Sequence, residues 1–293
     1  MDLSIIIINY KTKDLTLQTL DSVFKADPPV GKMEVFLIDN HSQDDTPTTV
    51  KQQFPQVKQI LSSTNLGFAG GNNLGLRQVK GRYVLLLNSD TIIEKDTLTA
   101  MIKYMDANSQ VGLATCRVEL FNRQIDPASH RGFPTPWASL TYYLGLEKLF
   151  PHSSLLAQYH QGWKDKNQVH EIDSPVGAFF FLRKSALNQI GLLDEAFFMY
   201  GEDIDLAFRI KKAGWQVMYV PLTTITHLKG ASGLHASTKL QRLTTTKNFF
   251  AVMKLFYQKH YRKKYFFLLR WCVFLGIDII QFLKILKIKL SWK

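Results

Sequence analysis

Cysteine is nearly absent. The 293 residues hold two, Cys116 and Cys272, far apart in the chain. That argues against a disulfide framework and fits a reducing cytosol. The opening Met1-Asp2-Leu3-Ser4 has no basic stretch ahead of the first apolar run, so nothing marks an export signal. Glycine is missing where a nucleotide fold often needs it. Leu3-Ser4-Ile5-Ile6-Ile7-Ile8 passes straight into Asn9-Tyr10-Lys11-Thr12-Lys13. A dinucleotide fingerprint places its glycines there, and a nucleotidyltransferase wants an early glycine-rich loop with a basic residue. Charge of one sign is also lacking from most of the chain. Of the 36 Lys and Arg, 13 lie in 239–293 beside a single acid, Asp278, which leaves 23 basic against 23 acidic residues in 1–238. A neutral body with a basic tail is not the footprint of a nucleic-acid binder, and no nucleic-acid partner is expected.

What is present alternates between strand and helix. The β-branched run 3–8 reads as a strand, and 14–26 as a helix with Leu15, Leu17, Leu20, Val23 and Phe24 on one face. A second strand over 34–38 ends on Asp39-Asn40-His41-Ser42; a helix stops before Pro55, and 57–61 reads as a third strand. This order predicts an α/β fold, a doubly wound, mostly parallel sheet flanked by helices. Tyr83-Val84-Leu85-Leu86-Leu87 reads as a strand buried on both faces, and it ends on Asn88-Ser89-Asp90. Ligands of such sheets bind beyond the carboxyl ends of the strands, so Asp90 is placed to hold a metal ion or to cap a following helix. The glycines of Asn65–Gly75 either bring backbone N–H groups to a phosphate or let a helix pack tightly on the sheet.

Further on, 95–107 reads as a helix and 111–116 as a strand. From Phe121 to about Gln168 periodicity fades, apart from some helix near 137–150, as in a long excursion on the substrate side. His130, Arg131 and Trp163 there could touch an acceptor, with surface packing the expected role. A strand over 174–183 carries Gly177, suited to close approach of a ligand or another backbone. Asp194, Glu195, Glu202, Asp203 and Asp205 then crowd ahead of a helix over 203–213. The helix dipole favours acids there, but capping does not require Glu202, Asp203 and Asp205 together. Val217–Val220 reads as a strand, followed by a polar loop with His227.

In order and spacing, several of these pieces resemble the family-2 glycosyltransferases, inverting enzymes with the GT-A fold, and within them the rhamnosyltransferase-like branch. They are Ile7-Ile8-Asn9-Tyr10, Ile38-Asp39-Asn40-x-Ser42, the Asn65–Gly75 glycine motif, Leu87-Asn88-Ser89-Asp90 and Gly177-Ala178. Gly191-x-x-Asp194-Glu195-x-Phe197-Phe198, Glu202-Asp203-x-Asp205-Leu206 with Arg209, and His227-x-x-Gly230-x-Ser232 complete them, over about residues 3–235. The resemblance implies a GT-A catalytic domain over 1–238, with a nucleotide-binding half (1–105) and an acceptor half (106–238). Asp39 would meet the base ring of a uridine or thymidine diphosphate sugar, flanked by Asn9 and Tyr10. Gly67, Asn73, Asn88, Ser89 and Asp90 would complete the nucleotide-sugar site, with Asp90 and His227 as ligands of a divalent cation, Mg²⁺ or Mn²⁺. Asp203 would be the catalytic base, and Glu202 and Asp205 acceptor-side or supporting groups. Two departures matter. Asn88 replaces the first acid of the family's Asp-x-Asp. The Gln-x-x-Arg-Trp signature of processive synthases is missing, since Gln241-Arg242 continues as Leu243-Thr244. One sugar per encounter is therefore expected, passed to a lipid-linked or cell-surface glycan in cell-envelope polysaccharide synthesis. The competing reading is a catalytically silent sugar-nucleotide or membrane-binding scaffold of the same fold.

Residues 239–293 read as a basic, amphipathic helical tail. Lys247 could reach a donor phosphate, although a solvated or membrane-facing lysine is the expected role. In the apolar stretch 265–283, Arg270 and Asp278 fall with Gln281 and Lys284 on one stripe. An interfacial helix accommodates such a stripe better than a spanning one, and flanking basic residues each add roughly 1 kcal/mol near an anionic leaflet. A cytoplasmic protein lying on the inner face of the cell membrane is expected.

Overall fold

The computed structural model describes residues 1–27, 31–228 and 238–290. The chain divides into two compact units, the first taking Met1–Phe198 and Glu202–Leu228. That unit begins β1 (Leu3–Asn9), α1 (Lys13–Lys25), β2 (Met33–Asp39), α2 (Thr46–Gln53), β3 (Lys58–Leu61), α3 (Gly67–Leu76) and β4 (Tyr83–Asn88). β5 (Thr91–Ile93), α4 (Thr97–Ala107), β6 (Val111–Leu120), α5 (Pro136–Tyr143) and α6 (Leu146–Leu149) follow. β7 (His170–Glu171), β8 (Phe179–Arg183), α7 (Lys184–Ile190), α8 (Glu202–Lys212) and β9 (Gln216–His227) complete it.

The strands form one mixed, mostly parallel sheet in the order β3-β2-β1-β4-β8-β6-β9-β5, with β7 on β9. β1 is parallel to both β2 and β4, aligning Asn9 with Asp39 and Ile8 with Asn88. Three strand ends therefore open along one edge. β8 runs antiparallel between β4 and β6, while β6 and β9 are parallel. The continuous apolar runs bury both faces, as a sheet covered by helices on each side requires. Ile5, Ile7, Leu37 and Leu85 pack with Leu20 of α1 and Met101 of α4. Ile6, Ile38 and Leu86 pack with Ala69 and Leu76 of α3 and with Leu206 and Ile210 of α8.

Two local expectations are corrected. Asp90 does not precede a helix: the three-residue β5 follows it, so the capping role falls away. The segment around Thr226 is no polar loop. β9 continues to His227 because β6 and β5 flank it, with Thr91 opposite His227. Gly230 and Ser232 lie outside the described residues.

The second unit takes Met199–Gly201 and the described part of Lys229–Lys293. It contains α9 (Lys239–His260) and α10 (Phe267–Leu290). Thr238 and Gln241 start α9 with reciprocal side-chain caps. The edge of α10 that bears Asp278 and Lys284 meets α9: Lys254 Nζ lies 2.5 Å from Asp278 Oδ1, and Lys284 sits 5.5 Å above the Phe250 ring. Phe267, Trp271, Ile279, Phe282 and Leu290 stay exposed. Part of the polar stripe is thus taken up by the neighbouring helix, and the apolar face remains outward. Among the described residues no helix is long and apolar enough to cross a membrane.

Candidate active site

Asn9 is fully buried at the end of β1. Its Nδ2 donates to Asp39 Oδ1 (2.8 Å) and to Ser42 Oγ (2.9 Å), while its Oδ1 accepts from Thr12 and Thr16. Asn9 therefore ties the ends of β1 and β2 together and fixes the Asp39 carboxylate, whose Oδ2 also accepts from the Ser42 N–H. Tyr10, the next residue, is exposed.

Asn40 then clamps the glycine-rich segment. It donates to Asn65 Oδ1 and to the Gly67 carbonyl, and it accepts from the Leu66 N–H. Gly67 has φ +71°, and a Cβ there would lie 2.1 Å from the Phe198 carbonyl oxygen. At Gly71 a Cβ would fall 2.3 Å from Ile8 Cδ1, so the helix rests directly on β1. Asn73 is buried; its amide donates to the Leu193 carbonyl and Glu195 Oε1, and its Oδ1 accepts from the Leu193 N–H. This geometry is that of the close-packing alternative: the segment locks onto the sheet and onto the 193–198 turn.

At the next strand end, the Ser89 hydroxyl lies 3.0 Å from that of Thr12, and Asn88 Oδ1 is buried without a partner. The β5–β9 ladder brings Asp90 and His227 together, Oδ1 to Nε2 at 3.2 Å. His227 Nδ1 faces Asp126 Oδ2 at 3.3 Å. Asp126 is wholly buried, and its Oδ1 accepts from the Ala128 N–H at the start of a short 3₁₀ turn. Both carboxylates can only accept from the imidazole, so a cation in place of the proton on Nε2 would leave Nδ1–H on Asp126. Two acceptors then face each other at 3.2 Å, a gap that either a proton or a cation must fill. Burial alone lowers the His227 pKa, but hydrogen bonds to Asp126 and Asp90 outweigh it and raise the value.

Asp203 stands in the first turn of α8 with Oδ2 only 2.6 Å from Arg131 Nη2. Its Oδ1 accepts from the Ile204 N–H, and the same Arg131 nitrogen donates to the Pro175 carbonyl. Glu202 is buried, and its Oε2 has no hydrogen-bond partner. Burial, then the Asp203 charge, push its carboxyl well above the usual carboxylate range. Asp205 is fully buried and paired with Arg209, which also binds the carbonyls of Ile190 and Leu192. The β4 exit and the start of α8 are neighbours. The Asn88 N–H donates to the Ala178 carbonyl, and a Cβ on Gly177 would lie 3.5 Å from Phe68 and 3.8 Å from Asp203 Cβ.

Surface packing does not describe His130 and Arg131, because both are buried. His130 Nε2 lies 2.5 Å from His170 Nε2, and burial pushes its pKa down to about 4. Trp163 is half-buried. Asp126 went unread because it sits in the aperiodic stretch; its one local sign is Asp-Pro, which starts the 3₁₀ turn.

A family model described as glycosyltransferase-like family 2 matches residues 2–244. The chain belongs to this family. Among curated relatives, this glycosyltransferase is similar to the low-salt glycan biosynthesis hexosyltransferase Agl10 of Haloferax volcanii. The identity is 27% over 215 residues, covering 72% of the chain and 62% of Agl10. It is also similar to the N-acetylglucosaminyl-diphospho-decaprenol L-rhamnosyltransferase of Mycobacterium tuberculosis, at 26% identity and 68% coverage of each chain. Among solved structures, S. aureus TarS with UDP-GlcNAc matches at TM-score 0.60 and 18% identity, covering 100% of this chain and 74% of TarS. The mannosyltransferase PcManGT of Pyrobaculum calidifontis, with GDP-Man and Mn²⁺, matches at TM-score 0.58 and 20% identity, over 85% of this chain and 63% of its own. These neighbours share the GT-A fold.

Among the described residues no group of three His, Cys, Asp or Glu side chains converges as a closed metal site. Asp90 Oδ1 and His227 Nε2 do converge, and the orphaned Asn88 Oδ1 adds an oxygen nearby in sequence. One carboxylate, one imidazole and open positions fit a hard cation that takes its other ligands from phosphate and water.

Proposed function

We propose that the protein is an inverting glycosyltransferase that moves one sugar, rhamnose being favoured, from a thymidine or uridine diphosphate donor to a lipid-linked or cell-surface glycan. The observation that carries this reading is the ion-paired carboxylate of Asp203, adjacent through Gly177 and Ala178 to the strand-end cluster of Asp39, Asn88 and Asp90. Tyr10, exposed at the strand exit, and the fixed Asp39 carboxylate would hold the base, while Asn9 and Asn73 would act by holding Asp39 and the 193–195 turn. Gly67 and Ser89 would shape the diphosphate side. Asp90 and His227 would hold Mg²⁺ or Mn²⁺, with Asp126 orienting the imidazole. Bound there, the ion would supply positive charge against the leaving diphosphate.

Asp203 would take the acceptor hydroxyl proton as that oxygen bonds to the anomeric carbon and the bond to the diphosphate breaks. Attack from the side opposite the leaving group inverts the centre. Asp205 would keep Arg209 on the 190–192 turn and so steady the start of α8. Support for the envelope acceptor comes from the mycobacterial relative, whose name specifies a diphospho-decaprenol acceptor. Support for a membrane role comes from the outward apolar face of α10 with its basic flanks, laid on the anionic inner face of the cell membrane.

Thermal shift with thymidine diphosphate-rhamnose and a panel of uridine diphosphate sugars, each with and without Mn²⁺, tests the reading. Stabilisation by one donor that grows with Mn²⁺ is the expected result. No shift with any nucleotide sugar would overturn it.

A further inference from the structure

Glu202 and Asp203 are consecutive carboxyls at the buried start of α8, and Arg131 is the cation set directly against Asp203. Two adjacent carboxyls on a buried helix start are costly to ionise together out of water, and a proton held by one of them relieves that cost. The contacts are unequal. Asp203 has the guanidinium on Oδ2 and the Ile204 N–H on Oδ1. Glu202 has an oxygen with no partner at all, which a neutral acid tolerates far better than an anion. We propose that Arg131 is a positioning residue that sorts this proton, keeping Asp203 ionised and Glu202 neutral. The proposal rests on the reading of Asp203 as the base, since the sorting matters for transfer only if Asp203 accepts a proton.

Arg131 is well fastened for this role. Its backbone pairs both ways with Ser174, N–H to carbonyl at 3.2 Å and back at 3.0 Å, and its Nη2 also holds the Pro175 carbonyl at 2.8 Å. The other charged and titratable groups facing the pair are few. Asp205, on the same helix, is bound by Arg209, and Tyr159 from the excursion interacts with Arg131. Burial opposes the charge on Arg131, yet the Asp203 charge and hydrogen bond raise its pKa. The excursion that carries Arg131 therefore sets the protonation of a pair carried on another element.

The test uses the full-length protein in two arms. Carbon-13 spectra of labelled side-chain carboxyls need no substrate. The wild type is expected to show one protonated carboxyl at neutral pH that disappears in Glu202→Gln. In Arg131→Met, a protonated signal that disappears with Asp203→Asn is expected. In the kinetic arm, on the donor found by the screen, Arg131→Met should move the acid limb of kcat/KM to higher pH. The loss should be about tenfold or more at neutral pH and should recover in alkali. Arg131→Lys, which keeps the charge and guards against a folding defect, should hold the limb near the wild-type position. Adding Glu202→Gln to Arg131→Met should shift it part of the way back. A protonated carboxyl that persists in Glu202→Gln, or a loss in Arg131→Met that is uniform with pH, would overturn the proposal. Full transfer by Asp203→Asn would instead sink the base assignment, while the spectra still decide where the proton sits.

Discussion

Several polar side chains at the strand ends hold one another, which separates candidate ligands from supports. Asn9, Asn40 and Asn73 use their amides on neighbouring backbone and side chains. Asp90 meets His227 and Ser89 meets Thr12, while Asn88 Oδ1 has no partner. Asp126 belongs with the supports, because its carboxylate would act on a cation through His227. Asp126→Asn, which keeps an acceptor for the Ala128 N–H, should weaken Mn²⁺ binding roughly 10- to 100-fold, as followed by calorimetry. Unchanged affinity would remove Asp126 from the site. Glu202 makes a separate prediction. Its folded pKa lies above the unfolded 4.5, so the folded protein keeps a proton that the unfolded chain releases. The associated stability is full below the unfolded value and is lost as pH rises through the folded one. In Glu202→Gln that decline with rising pH should shrink in urea unfolding followed across pH.

At the scale of elements, the legible parts of the chain were those with long period and strong apolar patterning. β1, β2 and β4 carry the apolar runs 5–8, 35–38 and 83–87 because helices cover both faces of their sheet, and their polar exits marked the candidate site. β5 was hidden by its three residues, and with it the pairing that turns His227 from a loop residue into the last residue of a strand. Arg131 lay inside a stretch without period, so its burial against Asp203 depends on contacts 72 residues apart that no local pattern reports. The glycine-rich motif was visible, but its two readings were separated only by the contacts of Gly67 and Gly71. Gly67→Ala would combine a left-handed backbone with a clash against Phe198. It should lower stability by at least about 1–2 kcal/mol in chemical denaturation. A neutral result would mean that the 193–198 turn yields easily.

For the whole molecule, the charge asymmetry read from composition falls on the second unit, whose α10 presents Phe267, Trp271, Phe282 and Leu290 outward. Flotation with anionic liposomes compares the full chain with one ending at Thr238. The shorter protein should be lost from the vesicle fraction, and equal flotation would contradict the anchoring role. The central claim concerns the first unit: a carboxylate on the acceptor side that removes a proton. Asp203→Asn tests it most directly, with transfer and donor binding measured on the same preparation. Transfer should fall roughly 10²- to 10⁴-fold with donor affinity retained. Transfer at the wild-type rate would contradict it.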